Sequence, residues 1–310
     1  MKILVTGGAG FIGSHVAEAF VNEGHDVLIM DDLSSGRVEN VPRGARLEVV
    51  DIRSEAAAEL IGRERPEVLC HHAAQMDVRR SVAEPQFDAT VNILGLLNLL
   101  EAGRKHGLER VLFASTGGAI YGEQSMFPCP ETHPTNPVSP YGVAKLAGEK
   151  YLHFYGVTYG IRWIALRYAN VYGPRQNPHG EAGVVAIFTE KLLRGEQPVI
   201  HGDGKQTRDY VYVGDLVRAN LLALRSDYCG PLNLGTGRET DVNTLFRLLC
   251  EACGVHMPEF HGPAKPGEQR RSCIDSALAE KVLGWMPEVG LEEGLRRTVE
   301  FFKAHRDNRM

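Results

Sequence analysis

The sequence lacks any long apolar run, any excess of positive charge and any dense set of cysteines. No stretch approaches the roughly 20 apolar residues of a membrane-spanning helix, and the short run Ile3-Leu4-Val5 meets glycines at once, which is unlike a signal peptide. The 34 lysines and arginines are outnumbered by 39 acidic residues, so no global positive field exists to hold nucleic acid or an anionic membrane. Six scattered cysteines in 310 residues form no disulfide framework. We therefore expect a cytoplasmic protein without nucleic-acid or membrane partners.

No group of potential metal ligands stands out either. Cys250 and Cys253 lie in an apolar helical run and have no second cysteine pair. The neighbours His71 and His72 point to opposite faces of a predicted strand. We expect all four to be packing residues and no metal site.

Short apolar runs alternate with longer amphipathic segments along the first half of the chain. Unalternated runs rich in β-branched residues suit strands buried on both faces of a parallel sheet. The predicted strands are Ile3 to Thr6, Val27 to Met30, Leu47 to Val50, Val68 to His71, Val111 to Ser115 and Trp163 to Arg167, and the predicted helices include Ser14 to Glu23, Asp88 to Lys105 and Tyr141 to Tyr159. The repeated βαβ pattern predicts an α/β fold with a doubly wound parallel sheet.

This rhythm ends in a passage rich in Gly, Pro and Asn, from Asn170 to Gly183, which indicates a domain junction. We expect a first domain over residues 1–168, to which the chain returns around 208–237. A smaller α/β C-terminal domain is expected over 169–207 and 238–310. Its predicted elements are helices at Val184 to Arg194, Asp241 to Cys253 and Leu291 to Ala304, with strand-like segments at Arg208 to Val213 and Leu232 to Gly235.

A glycine-rich segment with Gly7, Gly10 and Gly13 follows the first predicted strand and opens the first helix. Glycines there allow a tight turn and let a pyrophosphate approach the N–H groups of the helix N-terminus. Asp31 ends the second strand, where a carboxylate can accept a hydrogen bond from a ribose 2'-hydroxyl. Asp31 and Asp32 would also repel a 2'-phosphate, which favours NAD over NADP. Arg37 argues the other way, unless its side chain is simply solvated.

Tyr141 and Lys145 lie four residues apart on one face of a predicted helix that begins after Ser139-Pro140. An ordinary tyrosine, with a pKa near ~10, is a poor base at neutral pH, but a lysine ammonium and an oxidised nicotinamide favour the phenolate. Ser115 and Thr116 add hydroxyls at the carboxyl end of the fifth strand, where ligands of open α/β sheets bind. These residues predict a proton-transfer site.

Together the segments TGGAGFIG, HHAAQ, FASTGGAIYG, SPYGVAK, RYANVYGPRQ and QTRDYVYVGD resemble the extended short-chain dehydrogenase/reductase family over essentially the whole chain. Within it the sequence is most similar to bacterial UDP-glucose 4-epimerases, NAD-dependent isomerases that pass through a 4-keto sugar. Related dehydratases and decarboxylases have an acidic residue after the hydroxyl of the fifth strand, where this chain has Gly117 and Gly118. The resemblance matches Thr116 to the family's catalytic hydroxyl, and because this stretch is one residue longer than in the best-known epimerases, Ser115 stays open as the alternative.

The resemblance also implies a cofactor site. In it Lys145 bonds the nicotinamide ribose, Asp51 and Ile52 flank the adenine, and Asn92 and Tyr168 help position NAD. The full expected set is Gly7, Gly10, Phe11, Ile12, Gly13, Asp31, Asp32, Ser34, Ser35, Gly36, Asp51, Ile52, Ala73, Ala74, Gln75, Asn92, Ser115, Tyr141, Lys145 and Tyr168.

The implied UDP-sugar site centres on Arg208, whose guanidinium can offer two hydrogen bonds to a diphosphate. Lys265 and Glu268 depart from the Arg and Asp that the family usually has. Ser272 matches a position where a bulky side chain excludes N-acetyl groups, so we expect UDP-GlcNAc and UDP-GalNAc to be accepted. The expected contacts are Thr116, Gly117, Tyr141, Asn170, Gly183, Val184, Val185, Arg208, Tyr210, Lys265, Glu268 and Ser272.

Other functions remain open at this point. A UDP-glucuronate 4-epimerase or an NADPH-dependent 4-keto-sugar reductase would use the same scaffold, and a non-catalytic NAD-binding regulator would keep only the glycines. The long helices near Asp88 to Lys105 and Tyr141 to Tyr159 match those that pair in the family's homodimers, so a homodimer is expected.

Overall fold

The computed structural model describes residues 1–178, 183–265 and 269–305 as alternating strands and helices. The strands are β1 (Lys2–Thr6), β2 (Asp26–Asp31), β3 (Arg46–Val49), β4 (Val68–His71), β5 (Arg110–Thr116), β6 (Arg162–Tyr168), β7 (Asn170–Tyr172), β8 (Ile200–His201), β9 (Thr207–Arg208), β10 (Tyr210–Tyr212), β11 (Gly230–Leu234), β12 (Thr240–Asp241) and β13 (His261–Gly262). The α-helices are α1 (Phe11–Asn22), α2 (Glu55–Glu64), α3 (Val78–Ala83), α4 (Pro85–Ala89), α5 (Leu96–Lys105), α6 (Pro140–Tyr159), α7 (Val184–Leu193), α8 (Val213–Arg225), α9 (Val242–Cys253), α10 (Ala277–Leu283) and α11 (Leu291–Ala304). A π-helix, Thr90–Gly95, joins α4 to α5, and Val38–Asn40 form a 3₁₀ turn.

Seven strands form the main sheet in the order β3-β2-β1-β4-β5-β6-β11, and all neighbouring pairs are parallel. The predicted α/β fold with a doubly wound parallel sheet is therefore confirmed. The strand order reverses between β1 and β4, and ligands of such sheets bind at the carboxyl ends of the strands beside that reversal.

Side chains of the central strands alternate between two cores. In β1, Ile3 and Val5 face one core and Leu4 faces the other. The first core contains buried residues of α1 and α8, and the second contains those of α2, α5 and α6. Burial on both faces explains why these strands show no alternation of apolar and polar residues.

A third core lies among the helices α7, α9 and α11. Phe188 and Phe246 meet edge to face there, with ring centroids 6.0 Å apart, and Leu295 is fully buried beside them. The chain returns to the main sheet at β11, next to β6. The proposed division into an NAD-binding domain over 1–168 and a sugar-binding domain over 169–207 and 238–310 remains a prediction.

The helix α6 has clear start and stop signals. The Ser139 hydroxyl accepts a hydrogen bond from the Gly142 N–H at 3.2 Å, and Pro140 occupies the first turn. Gly160 ends the helix in a left-handed conformation with φ +71°. This start places Tyr141 in the first turn of the helix.

Within the described ranges, no helix is both long and apolar enough to cross a membrane.

Candidate active site

The turn between β1 and α1 brings backbone unusually close to backbone. Gly7 has φ +67°, and a Cβ on it would lie 2.6 Å from the backbone nitrogen of Ala73, which follows β4. A Cβ on Gly13 would collide with the carbonyl oxygen of Gly7. Gly10 precedes α1 without any side-chain cap. The N–H groups of the first helical turn, including those of Phe11 and Ile12, are thus available to an anion at the sheet reversal.

The predicted ribose acid, Asp31, is buried at the end of β2. Its carboxylate accepts hydrogen bonds from the N–H groups of Ala9 at 3.0 Å and Leu33 at 2.9 Å. Burial raises its pKa, and these two donors oppose that rise. The acid therefore fixes the glycine turn to the loop that contains Ser34, Ser35 and Gly36.

The other predicted cofactor residues differ in what their side chains do. Asn92 is buried and donates to the Gln75 carbonyl at 2.8 Å while its own oxygen accepts from the Gln75 N–H at 3.0 Å. It thereby fixes the loop of Ala73, Ala74 and Gln75.

Other predicted cofactor residues make contacts within the protein. The Tyr168 hydroxyl is buried and accepts a hydrogen bond from Asn220 at 2.9 Å. Three further residues lie near the strand ends: the exposed Asp32 accepts from Ser34, Asp51 accepts from Arg53, and Ile52 is buried beneath Gly95.

Lys145 is buried and lies between the fifth strand and the predicted base. Its ammonium donates to the Ala114 carbonyl at 2.9 Å and lies 5.9 Å from the centroid of the Tyr141 ring. Burial lowers the pKa of Lys145 to about 8 and raises the pKa of Tyr141 above its ordinary value, with a smaller upward contribution from Asp88. Burial among the protein's own groups thus disfavours the Tyr141 phenolate, and a further positive charge in the site would favour it.

The hydroxyls of Ser115 and Thr116 point in different directions. Ser115 is buried and donates to the Glu149 carboxylate at 2.6 Å, on the side of α6. Thr116 lines the open cleft together with Tyr141. Thr116 is therefore better placed than Ser115 to meet a ligand in the cleft, and the roles of Ser115 as a catalytic hydroxyl and cofactor contact remain predictions.

The cleft itself has a volume of about 1250 Å³. Three polar groups surround the position that a side chain on Gly118 would occupy: Ser272 Oγ and Thr116 Oγ1, each 3.9 Å away, and Asn170 Oδ1, 4.0 Å away. The cleft is also lined by the predicted contacts Gly183, Val184, Val185, Arg208, Tyr210 and Lys265. A Cβ on Gly117 would point toward Ile274 and the Arg167 carbonyl, and its role as a substrate contact remains a prediction. Glu268 lies outside the described residues.

A family model described as NAD dependent epimerase/dehydratase matches residues 3–235. The chain belongs to this family.

Members of the epimerase/dehydratase family with similar sequences include UDP-glucose 4-epimerases. That of Mycolicibacterium smegmatis is 47% identical over 310 residues, which cover 98% of this chain and 99% of that protein. A crystal structure of UDP-glucose 4-epimerase with UDP-glucose from Thermotoga maritima is 52% identical, has a TM-score of 0.97 and covers 99% of this chain and 100% of that chain. The Thermus thermophilus UDP-glucose 4-epimerase complex with NAD is 47% identical, has a TM-score of 0.93 and covers 98% of this chain and 99% of that chain.

The family's cofactor, NAD, suits the residues of this chain. A side chain on Gly7 or Gly13 would collide with backbone in the turn that a pyrophosphate must approach, and Asp31 is bonded to the same turn through the Ala9 N–H. A 2'-phosphate would meet the charges of Asp31 and Asp32. Arg37 does not offset them fully, since its guanidinium lies 3.5 Å from Glu39.

Several cleft residues of this epimerase/dehydratase were not predicted from the sequence. They come from the start of α3, from the passage after β7, from the segment around β8 and from the segment between β13 and α10, and include Asp77, Arg79, Gln176, His201, Gln206 and Gln269. Asp77 and Arg79 lie at the start of α3, beyond the carboxyl end of β4, and the position of this segment after a predicted strand was the available signal for them.

Proposed function

We propose that this enzyme interconverts UDP-glucose and UDP-galactose by inverting C4 of the sugar, with NAD held in the protein. The observation that carries the proposal is that one cleft contains Tyr141, Thr116 and Arg208 and opens at the sheet edge that bears the glycine turn. A base, a hydroxyl for the reacting oxygen and a cation for the diphosphate are the groups that this reaction requires from the chain.

The chain's residues divide the work by position. Tyr141 Oη accepts the proton of the sugar 4-hydroxyl, and the Thr116 hydroxyl holds the same oxygen by a hydrogen bond. Arg208 binds the diphosphate as a fixed point while the sugar turns. When bound, NAD supplies the hydride acceptor for C4 and then the donor. Tyr141 returns the proton to O4 at the end, so the chain leaves the cycle as it entered.

The surroundings of Gly118 suit a sugar that must present both faces. Ser272, Thr116 and Asn170 direct polar atoms into this space, and neither Gly117 nor Gly118 has a side chain that fills it. A glycine pair at this place also supplies no carboxylate for water elimination or for decarboxylation. Oxidation and reduction at C4 are therefore the chemistry that the site supports.

The decisive experiment uses UDP-galactose and no added NAD. Purified protein is expected to form UDP-glucose, measured by chromatography or by the anomeric proton signal, because the cofactor is regenerated in each cycle and need not leave. UDP-glucuronate and a 4-keto sugar with NADPH are run in parallel. If UDP-glucose fails to form even after NAD is added, the proposal is wrong, and turnover of either parallel substrate would identify the correct activity.

N-acetylated sugars are included in the same assay. Ser272 is small and lines the cleft opposite Asn170, so we propose that UDP-GalNAc is converted to UDP-GlcNAc as well. Absence of this conversion in protein that converts UDP-galactose would limit the activity to the plain hexoses.

A homodimer is our proposal for the assembly. Helix α6 exposes Val143, Phe154 and Val157, which are 50%, 47% and 75% accessible, and Leu94 on the adjacent π-helix is 57% accessible. Exposed apolar side chains on two neighbouring helices, as here, mark protein interfaces.

The substitution Phe154→Glu tests the homodimer. It places a charge in this surface and is expected to halve the mass measured by light scattering. Phe260→Glu, at a residue 54% accessible elsewhere, is the control that should leave the mass unchanged. A wild-type mass of one chain contradicts the proposal.

A further inference from the structure

The proposed reaction makes no use of a fully buried ion pair behind the catalytic helix. Glu149 of α6 and Arg167 of β6 are each 5% accessible at the side chain, and Arg167 donates to both carboxylate oxygens, at 2.9 Å and 2.6 Å. Ser115 of β5 donates to the same carboxylate at 2.6 Å. One carboxylate thus ties α6 to two adjacent strands, whose residues Ser115 and Arg167 lie directly opposite each other.

Further hydrogen bonds extend this network away from the helix. Arg167 donates to the Tyr121 hydroxyl at 2.8 Å, and that hydroxyl donates to Asn233 of β11 at 2.7 Å. Asn233 in turn donates to the Cys129 carbonyl at 3.0 Å. The network spans β5, β6, β11 and the loop after β5, and both of its charged groups are hydrogen-bonded.

Stability alone is a poor reason for such a pair. Moving two charges out of water is energetically costly, and well-packed apolar residues of similar size often give an equally stable protein. A buried ion pair of this kind does define geometry, because a bidentate carboxylate–guanidinium contact accepts only a narrow range of distances and angles.

The geometry that this ion pair defines is the position of helix α6, which contains Tyr141, relative to the sheet. Tyr141, Lys145 and Glu149 follow one another at intervals of four residues and share one face of α6. Lys145 is bonded to the Ala114 carbonyl, Glu149 to Ser115, and Thr116 is the next residue of the same strand. Any shift of α6 along β5 would therefore change the distance between Tyr141 and Thr116.

We propose that Glu149, Arg167 and Ser115 are positioning residues that set the register of α6 against β5, and so the distance from Tyr141 to the Thr116 hydroxyl. This inference rests on the proposed epimerase function. Small displacements of reacting groups are sufficient for large effects, since about 1 Å can cost about 100-fold in rate.

The principal test replaces the ion pair by apolar residues, in the double variant Glu149→Leu/Arg167→Met. We expect a melting temperature close to that of the wild type, a kcat about 100-fold lower and a KM for UDP-galactose within about twofold. If the ion pair had a purely structural role, a double variant with the melting temperature of the wild type would also have the kcat of the wild type. If the double variant melts early, Ser115→Ala decides the matter, because it keeps the ion pair and removes only the bond to β5; we expect its kcat to fall about 10-fold.

A kcat within threefold of the wild type in Ser115→Ala and in the double variant overturns the proposal. Thr298→Val is the matched control: its hydroxyl is fully buried and bonds Gly294 within α11, remote from the cleft, so it should change stability and not kcat. Hydrogen–deuterium exchange of residues 140–150 provides a readout independent of turnover. Faster exchange there in the variants supports the proposal even if the wild type fails to convert UDP-galactose, whereas unchanged exchange contradicts it, so the two failures are distinguishable.

Discussion

Tyr141→Phe is expected to lower kcat for UDP-galactose by about 1,000-fold, the typical scale for losing a positioned general base. Phenylalanine keeps the ring of Tyr141 in the cleft and removes only the oxygen that we propose accepts the proton of the sugar 4-hydroxyl. Affinity for UDP, measured by calorimetry, should change little, because the substitution leaves Arg208 and the apolar lining residues Val184, Val185 and Phe188 unchanged.

Tyr151→Phe is the appropriate control for this substitution. Tyr151 lies on the same helix and is 38% accessible, outside the cleft, so removal of its hydroxyl should leave kcat unchanged. Full activity in Tyr141→Phe would show that another group takes the proton, and the assignment of the base would be wrong.

Much of the fold was predictable because its strands are buried on both faces. The runs at residues 3–6 and 27–30 are unbroken and apolar, and each becomes a central strand. Helix α8 was not predicted, although its buried residues Leu216, Ala219 and Ala223 recur at helical spacing. In the structure Asp215 caps a distant segment by accepting from the N–H groups of Glu288 and Val289. Strands of two residues, such as β8 and β13, are too short to leave a periodic pattern.

The site was predictable where its residues are close together in the sequence. It was not predictable where distant parts of the chain meet only in the folded protein. Tyr141 and Lys145 are four residues apart in the sequence, so their shared helix face follows from helix geometry. Ser115 and Thr116 are adjacent, and only the position of α6 decides which hydroxyl is bound by Glu149 and which is open to the cleft. His201 and Gln206 reach the cleft through tertiary packing alone, so neither carries a signal in the sequence.

The sequence predicts that Lys145 and an oxidised nicotinamide together favour the Tyr141 phenolate, whereas the protein's own groups alone raise the pKa of Tyr141. Burial is the main cause, because a buried phenolate loses its hydration, and the charge of Asp88 adds to the rise. The Lys145 ammonium is close, yet it is also buried and its own pKa is lowered to about 8. In the proposed reaction, ionisation of Tyr141 would therefore depend on the charge of Lys145 together with the positive nicotinamide ring of oxidised NAD.

This dependence makes Lys145→Met the second large prediction. Methionine fills a similar volume without charge, so the phenolate loses its nearest cation, and kcat is expected to fall by about 100-fold or more.

The dependence of kcat/KM on pH distinguishes this explanation more sharply than the rate does. In the wild type, kcat/KM should decline as the pH rises through about 8, because Lys145 then loses the proton that makes it a cation. That decline should disappear in Lys145→Met, and the residual activity should instead increase toward high pH, where the Tyr141 phenol ionises unaided. Lys150→Met, at an exposed position of the same helix, should keep both the rate and the profile of the wild type. A Lys145→Met enzyme that retains the alkaline decline would mean that another group loses its proton near pH 8, and that the Lys145 charge does not support the base.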